Sequence, residues 1–120
     1  MRRLIKSFFH AFRGLFFILR YEKNLQIHLA MAAIVIILAF ISHLSLIEFS
    51  MLILAIFLVI IAELFNTVVE LVIDYINPHF NQKARLIKDL SAGTVLVAAL
   101  CSVIAGCLIF YPHIKNLLIK

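Results

Sequence analysis

In the first twenty residues, polar and apolar positions interleave with a helical period. Placed at about 100° per residue, Leu4, Ile5, Phe8, Phe9, Phe12, Leu15, Phe16, Ile18 and Leu19 fall within about half the circle. Arg2, Arg3, Lys6, Ser7, His10, Arg13, Gly14 and Arg20 take the other half, and Phe17 is the one exception. The pattern predicts a basic amphipathic helix over about 2–20, lying in a membrane interface. It does not read as a signal peptide, because Lys6 and Arg13 interrupt any apolar core and no small-residue cleavage site follows.

Beyond Lys23 the pattern changes. No residue before Glu48 carries a fixed charge, and 29–41 is almost wholly aliphatic. Some two dozen residues at ~1.5 Å each reach ~36 Å, enough to cross ~30 Å of hydrocarbon. A first span over about 25–46 ends in a tight turn at Ser42, His43, Leu44 and Ser45. A second, over about 49–76, is closed by Asn77 and Pro78, since proline lacks a donor and disfavours helix at the residue before it. A polar loop over 79–88 follows, then a third span over about 89–111, with Pro112 marking its end. The expected architecture is a single all-α membrane domain over 1–120, an amino-terminal amphipathic surface helix plus three transmembrane helices.

Composition agrees with this reading. Hydrophobic residues make up 65% of the 120 residues and charged ones 14%, and mean hydropathy is +1.14. A soluble domain is nearer half apolar and a quarter charged. The net charge of +5 would suit nucleic acid on a soluble protein. Here the basic residues sit at the edges of apolar runs, so they read as membrane orientation signals and not as a nucleic-acid surface. Six of the Lys/Arg precede the first span, three lie in 77–89, none lies near residue 45, and Lys115 and Lys120 close the chain. That asymmetry puts the amino terminus and the 77–89 loop of a multi-pass membrane protein in the cytoplasm. Cys101 and Cys107 lie about 240° apart on one helix and cannot pair within it, so no disulfide scaffold is expected.

The second span holds residues a bilayer does not ask for. Glu63, Asn66, Thr67, Glu70 and Asp74 fall at i, i+3, i+4, i+7 and i+11, one stripe within about 100° of a helix wheel. Ionisable groups inside a span cost a few kcal/mol each on insertion scales, at about 3 kcal/mol for Asp, and usually face a partner or a wet site. A helix that leaves the bilayer early with a solvated acidic face would explain Asp74 well and Glu63 badly. Glu22 lies at the mouth of the first span and Lys88 with Asp89 at the mouth of the third, so the topology gathers them at one depth. Carboxylates with a lysine and access to water suit a divalent cation and phosphate. Taken alone, Glu22 also suits a surface pair with Arg20 or Lys23, and Asp89 a favourable place near a helix start. Ala98, Ser102 and Gly106, spaced by four, allow close helix approach in lipid. Three thin helices cannot enclose the stripe, so an oligomer is expected to complete it.

The pattern E-x-x-N-[ST]-x-x-E-x-x-x-D over 63–74, followed by Lys88 and Asp89, closely resembles the signature of the prokaryotic integral-membrane diacylglycerol kinase and undecaprenol kinase family. The likeness covers nearly the whole chain. Glu22 to His28 and the Asn66-Thr67 pair look more like the Gram-positive undecaprenol kinase branch. The resemblance implies ATP-dependent phosphorylation of a membrane lipid alcohol, undecaprenol or diacylglycerol, with magnesium, in a homotrimer whose sites are shared between subunits. It implies Glu63 as general base and Glu22 and Glu70 as metal-binding carboxylates. Lys88, Asp89, Asn66, Arg3, His10, His79, Phe80 and Asn81 match nucleotide contacts. His10 departs from a position often held by tyrosine, and 78–81 departs from the usual acidic-Tyr-His loop. Neither a phosphate-binding glycine loop nor the protein-kinase motifs occur. A small proton-coupled transporter, using Glu63 and Glu70 to carry protons, is the competing reading.

Overall fold

Residues 1–79 and 81–119 are described by the computed structural model, the side chains of 117 and 118 apart. They form four helices, α1 (Arg2–Tyr21), α2 (Lys23–Ile41), α3 (Leu46–Ile76) and α4 (Gln82–Leu118). The last three are long and apolar enough to cross a membrane. None of the residues of α1 is buried, and Phe8, Phe9, Phe12 and Phe16 are all exposed.

Glu22 separates α1 from α2. Its extended backbone (φ −92°, ψ 107°) makes it the C-cap of one helix and the N-cap of the next. Gln26 reaches back across the break, donating from Nε2 to the carbonyls of Leu19 (3.0 Å) and Arg20 (3.3 Å). Those carbonyls would otherwise be orphans of a helix end.

The α2–α3 turn is built from two matched caps. The N–H of His43 donates to Phe40 O (3.2 Å) and that of Leu44 to Ala39 O (3.3 Å), which is the Schellman arrangement. Leu44 then packs on the apolar cluster of Ala39, Leu52 and Ile109. Ser45 caps α3 in a reciprocal box. Its side chain accepts from the Glu48 N–H (3.3 Å), and Glu48 Oε2 accepts from the Ser45 N–H (2.8 Å) and hydroxyl (2.7 Å). The Schellman turn forces His43 into the left-handed region, at φ 52°. A side chain there costs about 1–2 kcal/mol. His43→Gly is therefore expected to raise the thermal midpoint in detergent, and His43→Val to lower it; equal midpoints would remove the strain argument.

Two boundaries differ from the sequence pattern. The polar stretch after Asn81 is helix, not loop. Asn81 Oδ1 accepts from the Lys83 N–H (2.8 Å), an N-cap that starts α4 at Gln82 and lets good helix formers follow. Pro112 does not end the third span either, since α4 continues through it to Leu118. Proline removes one backbone bond, but His113 Nε2 lies 3.1 Å from Glu48 Oε1 and ties the last turns of α4 to the start of α3. A tertiary contact overrides the local breaker there. The expected end of α3 at Asn77 does occur, with Asn77 as C-cap and its N–H donating to Ile73 O (2.9 Å).

α3 and α4 form the principal packing pair. Ser102 Oγ donates across it to Ala55 O (2.8 Å) and Ala98 is buried, so two of the three spaced small residues do serve close approach. Gly106 does not, because a Cβ there would meet nothing within 4 Å. The molecule measures 60 × 44 × 20 Å. A thickness of 20 Å is about two helix diameters. Large apolar residues such as Leu54, Phe57, Leu58, Ile61 and Phe65 are left exposed, and lipid or neighbouring protein must cover them.

Candidate active site

Helix length fixes the depth of the polar stripe. α2 has 19 residues, or ~28 Å, close to the ~30 Å of hydrocarbon. α3 has 31, or ~46 Å, and must project beyond it. Counted from the Ser45 cap, ~30 Å brings α3 to about residue 65. On that count Glu63 and Asn66 would fall near the end of a membrane-spanning length of α3, with Glu70 and Asp74 beyond it.

Glu63 (3% exposed), Asn66 (5%) and Thr67 (2%) are the buried polar residues among those described. Burying them requires internal partners. Thr67 Oγ1 donates to the Glu63 carbonyl one turn earlier (3.0 Å) and so costs the helix little. Asn66 Nδ2 donates to Glu70 Oε1 (3.2 Å). Asn66 Oδ1 has no partner among the described residues. Glu63 Oε2 lies 3.9 Å from His28 Nε2 of α2. Glu22 and Glu70 both lie within electrostatic reach of Glu63.

Further toward the end of α3, the chain bends into an open cleft of about 370 Å³. Its walls include Asp74, Asn77, Pro78, His79, Asn81, Arg85, Lys88 and Asp89. Lys88 Nζ donates to both oxygens of Asp74, at 2.9 and 3.1 Å, which clamps the start of α4 to the end of α3. An ammonium has three donors, so Lys88 can hold Asp74 and still reach an anion. Asp89 pairs only loosely with Arg85 (3.9 Å), both about 70% exposed, and such a pair contributes little.

The structure brings the sequence candidates together in two groups. Glu63, Asn66 and Glu70 sit with Glu22 along the stripe, and His79, Asn81, Lys88 and Asp89 line the cleft. Arg3 and His10 are exposed on α1 and do not line it. Phe80 lies outside the described residues, as does Lys120 of the charge count. Two residues were missed. Arg85 joins the cleft because the helix begins early, and His28 faces Glu63. The sequence held no signal for His28, since α2 is apolar on every face; the structure alone sets it on one stripe with Leu25 and Ala39, both 1% exposed.

A family model for prokaryotic diacylglycerol kinase matches residues 9–110. The chain is 40% identical over 114 residues to an undecaprenol kinase of Bacillus subtilis (strain 168), covering 95% of this chain and 93% of that protein. This chain belongs to the prokaryotic diacylglycerol kinase family. It is also 34% identical over 117 residues to a diacylglycerol kinase of Synechocystis, covering 97% of this chain and 67% of the relative. A diacylglycerol kinase of Escherichia coli (strain K12) is 32% identical over 63 residues, about half of each chain.

Membership makes the chain a lipid kinase and leaves the transporter reading without support. The geometry suits such an enzyme. Phosphoryl transfer needs positioning, neutralisation of phosphate charge and a base at the attacking hydroxyl. A lipid kinase must perform it where a hydroxyl anchored in lipid can meet a nucleotide from water. Along α3, buried Glu63 is followed by Glu70 and then by the open cleft that Lys88 lines. Among the described residues no three carboxylate, imidazole or thiol groups gather to trap a metal unaided. Magnesium brought in on nucleotide phosphates needs only one or two carboxylates from the protein.

Proposed function

We propose that this lipid kinase phosphorylates undecaprenol in preference to diacylglycerol, with its catalytic centre on the polar stripe of α3 and its nucleotide in the cleft beside it. The observation that carries the reading is Glu63, a carboxylate only 3% exposed on a helix long and apolar enough to cross a membrane. In this mechanism Glu63 takes the proton from the lipid hydroxyl. The oxygen forms its bond to the γ-phosphorus of ATP as the bond to the ADP oxygen breaks. Glu22 and Glu70 would hold magnesium, which supplies charge neutralisation on the phosphates. Lys88, Asp89, Asn66, His79 and Asn81 receive the nucleotide, and Arg3 and His10 of α1 approach it from the membrane surface.

The preference for undecaprenol is supported by identity along almost the full length of the Bacillus subtilis relative. The basic, phenylalanine-rich α1 is assigned to the membrane interface, with Phe8, Phe12 and Phe16 beside the acceptor chain. We place the chain in a homotrimer, as the family resemblance implies; neighbouring subunits would cover apolar side chains such as Leu54, Phe57 and Phe65 that the single chain leaves exposed. Purified protein in matched mixed micelles with Mg-ATP is expected to show a higher kcat/KM for undecaprenol than for diacylglycerol. A ratio favouring diacylglycerol would reject the lipid assignment.

Orientation follows from the basic residues, with the amino terminus and the cleft in the cytoplasm. In intact cells of a cysteine-free background, Arg85→Cys is expected to stay unlabelled by a membrane-impermeant maleimide and to react after permeabilisation. Labelling of Arg85→Cys from outside would reverse the topology.

A further inference from the structure

α2 carries two side chains able to hold charge, Lys23 at its start and His28. Lys23 is exposed, whereas His28 lies on the inward stripe with Leu25 and Ala39. An imidazole half-buried on an otherwise apolar stripe is favoured by a polar partner. His28 has one. Its Nε2 lies 3.9 Å from Oε2 of Glu63, with His28 27% and Glu63 3% exposed. The contact joins α2 to α3.

We propose that His28 is a positioning residue for the phosphoryl transfer, acting through Glu63. This rests on the assignment of Glu63 as base. With the proton on Nε2, the imidazole donates toward Oε2 and turns Oε1 toward the lipid hydroxyl. At 3.9 Å the contact is longer than a hydrogen bond. Catalytic contacts of this kind tighten when substrate draws the surrounding elements together. Because the carboxylate is buried on a helix whose backbone is fixed, its remaining freedom is rotation about the side-chain bonds. A donor on the neighbouring helix removes that freedom. His28 touches neither nucleotide nor the transferred phosphate, so its effect falls on turnover and not on ATP binding.

Three variants test this in purified protein with Mg-ATP and lipid acceptor. His28→Ala is expected to lower kcat by up to about a hundredfold, the usual scale for a misplaced reacting group, with KM for ATP unchanged. His28→Gln should recover most of the loss, because its amide nitrogen reaches the place of Nε2, while the shorter His28→Asn should not. In a Glu63→Gln background, His28→Ala should add almost nothing. Wild-type turnover in His28→Ala, or the same fractional loss in both backgrounds, would overturn the proposal. So would a His28→Gln protein that melts like wild type yet turns over no faster than His28→Ala. Near-normal turnover in Glu63→Gln alone would instead strike the base assignment, so the two failures are separable.

Discussion

Glu63→Gln is expected to cut turnover by about 10²–10⁴-fold, the usual contribution of a positioned base, while ATP binding survives. The amide is nearly isosteric with the carboxylate, so the packing around a side chain only 3% exposed is kept. A neutral amide is also easier to bury than a charge, which argues against unfolding as the source of any loss. The cleft residues Asn81, Lys88 and Asp89 lie away from the substitution and remain to receive nucleotide. Turnover measured beside equilibrium binding of a nonhydrolysable ATP analogue checks this. Near-normal turnover, or loss of nucleotide binding with turnover, would remove Glu63 from the role of base.

The second large effect concerns the cation. Glu70 accepts a hydrogen bond from Asn66 on Oε1 (3.2 Å), so its orientation is set and its second oxygen can serve a metal. Glu22, at the junction of α1 and α2, supplies the other carboxylate without belonging to either helix. Glu70→Gln and Glu22→Gln are each expected to raise the magnesium concentration for half-maximal activity at least about tenfold, since losing even a group that only orients a metal ligand typically costs that much, and to lower turnover at fixed magnesium. The thermal midpoint of the assembly should stay near wild type. Unchanged magnesium titrations in both variants would exclude them as the metal-binding pair.

Much of this arrangement is legible in the chain because helical periodicity is strong. Polar residues at i, i+3, i+4 and i+7 share a face on a helix, and their presence in an apolar run marks them as candidates before any coordinates. The close of α3 at Asn77 was equally visible, since the residue before a proline resists helix. Pro112 carried the same local message and it was overruled, because the contact between His113 and Glu48 joins residues far apart in sequence. The early start of α4 was hidden by polar residues that suit a loop and a solvated first turn alike, with the decision resting on the Asn81 cap. His28 left no periodic signal. A single imidazole in an apolar segment becomes informative only when the register of α2 against α3 sets it beside Glu63.

The most direct test follows the label. Purified protein, given ATP labelled at the γ-phosphate, magnesium and undecaprenol in mixed micelles, should move the label into the chloroform-extractable fraction as undecaprenyl phosphate. Label released only as inorganic phosphate, or none released at all with both undecaprenol and diacylglycerol present, would contradict a lipid kinase centred on the α3 stripe.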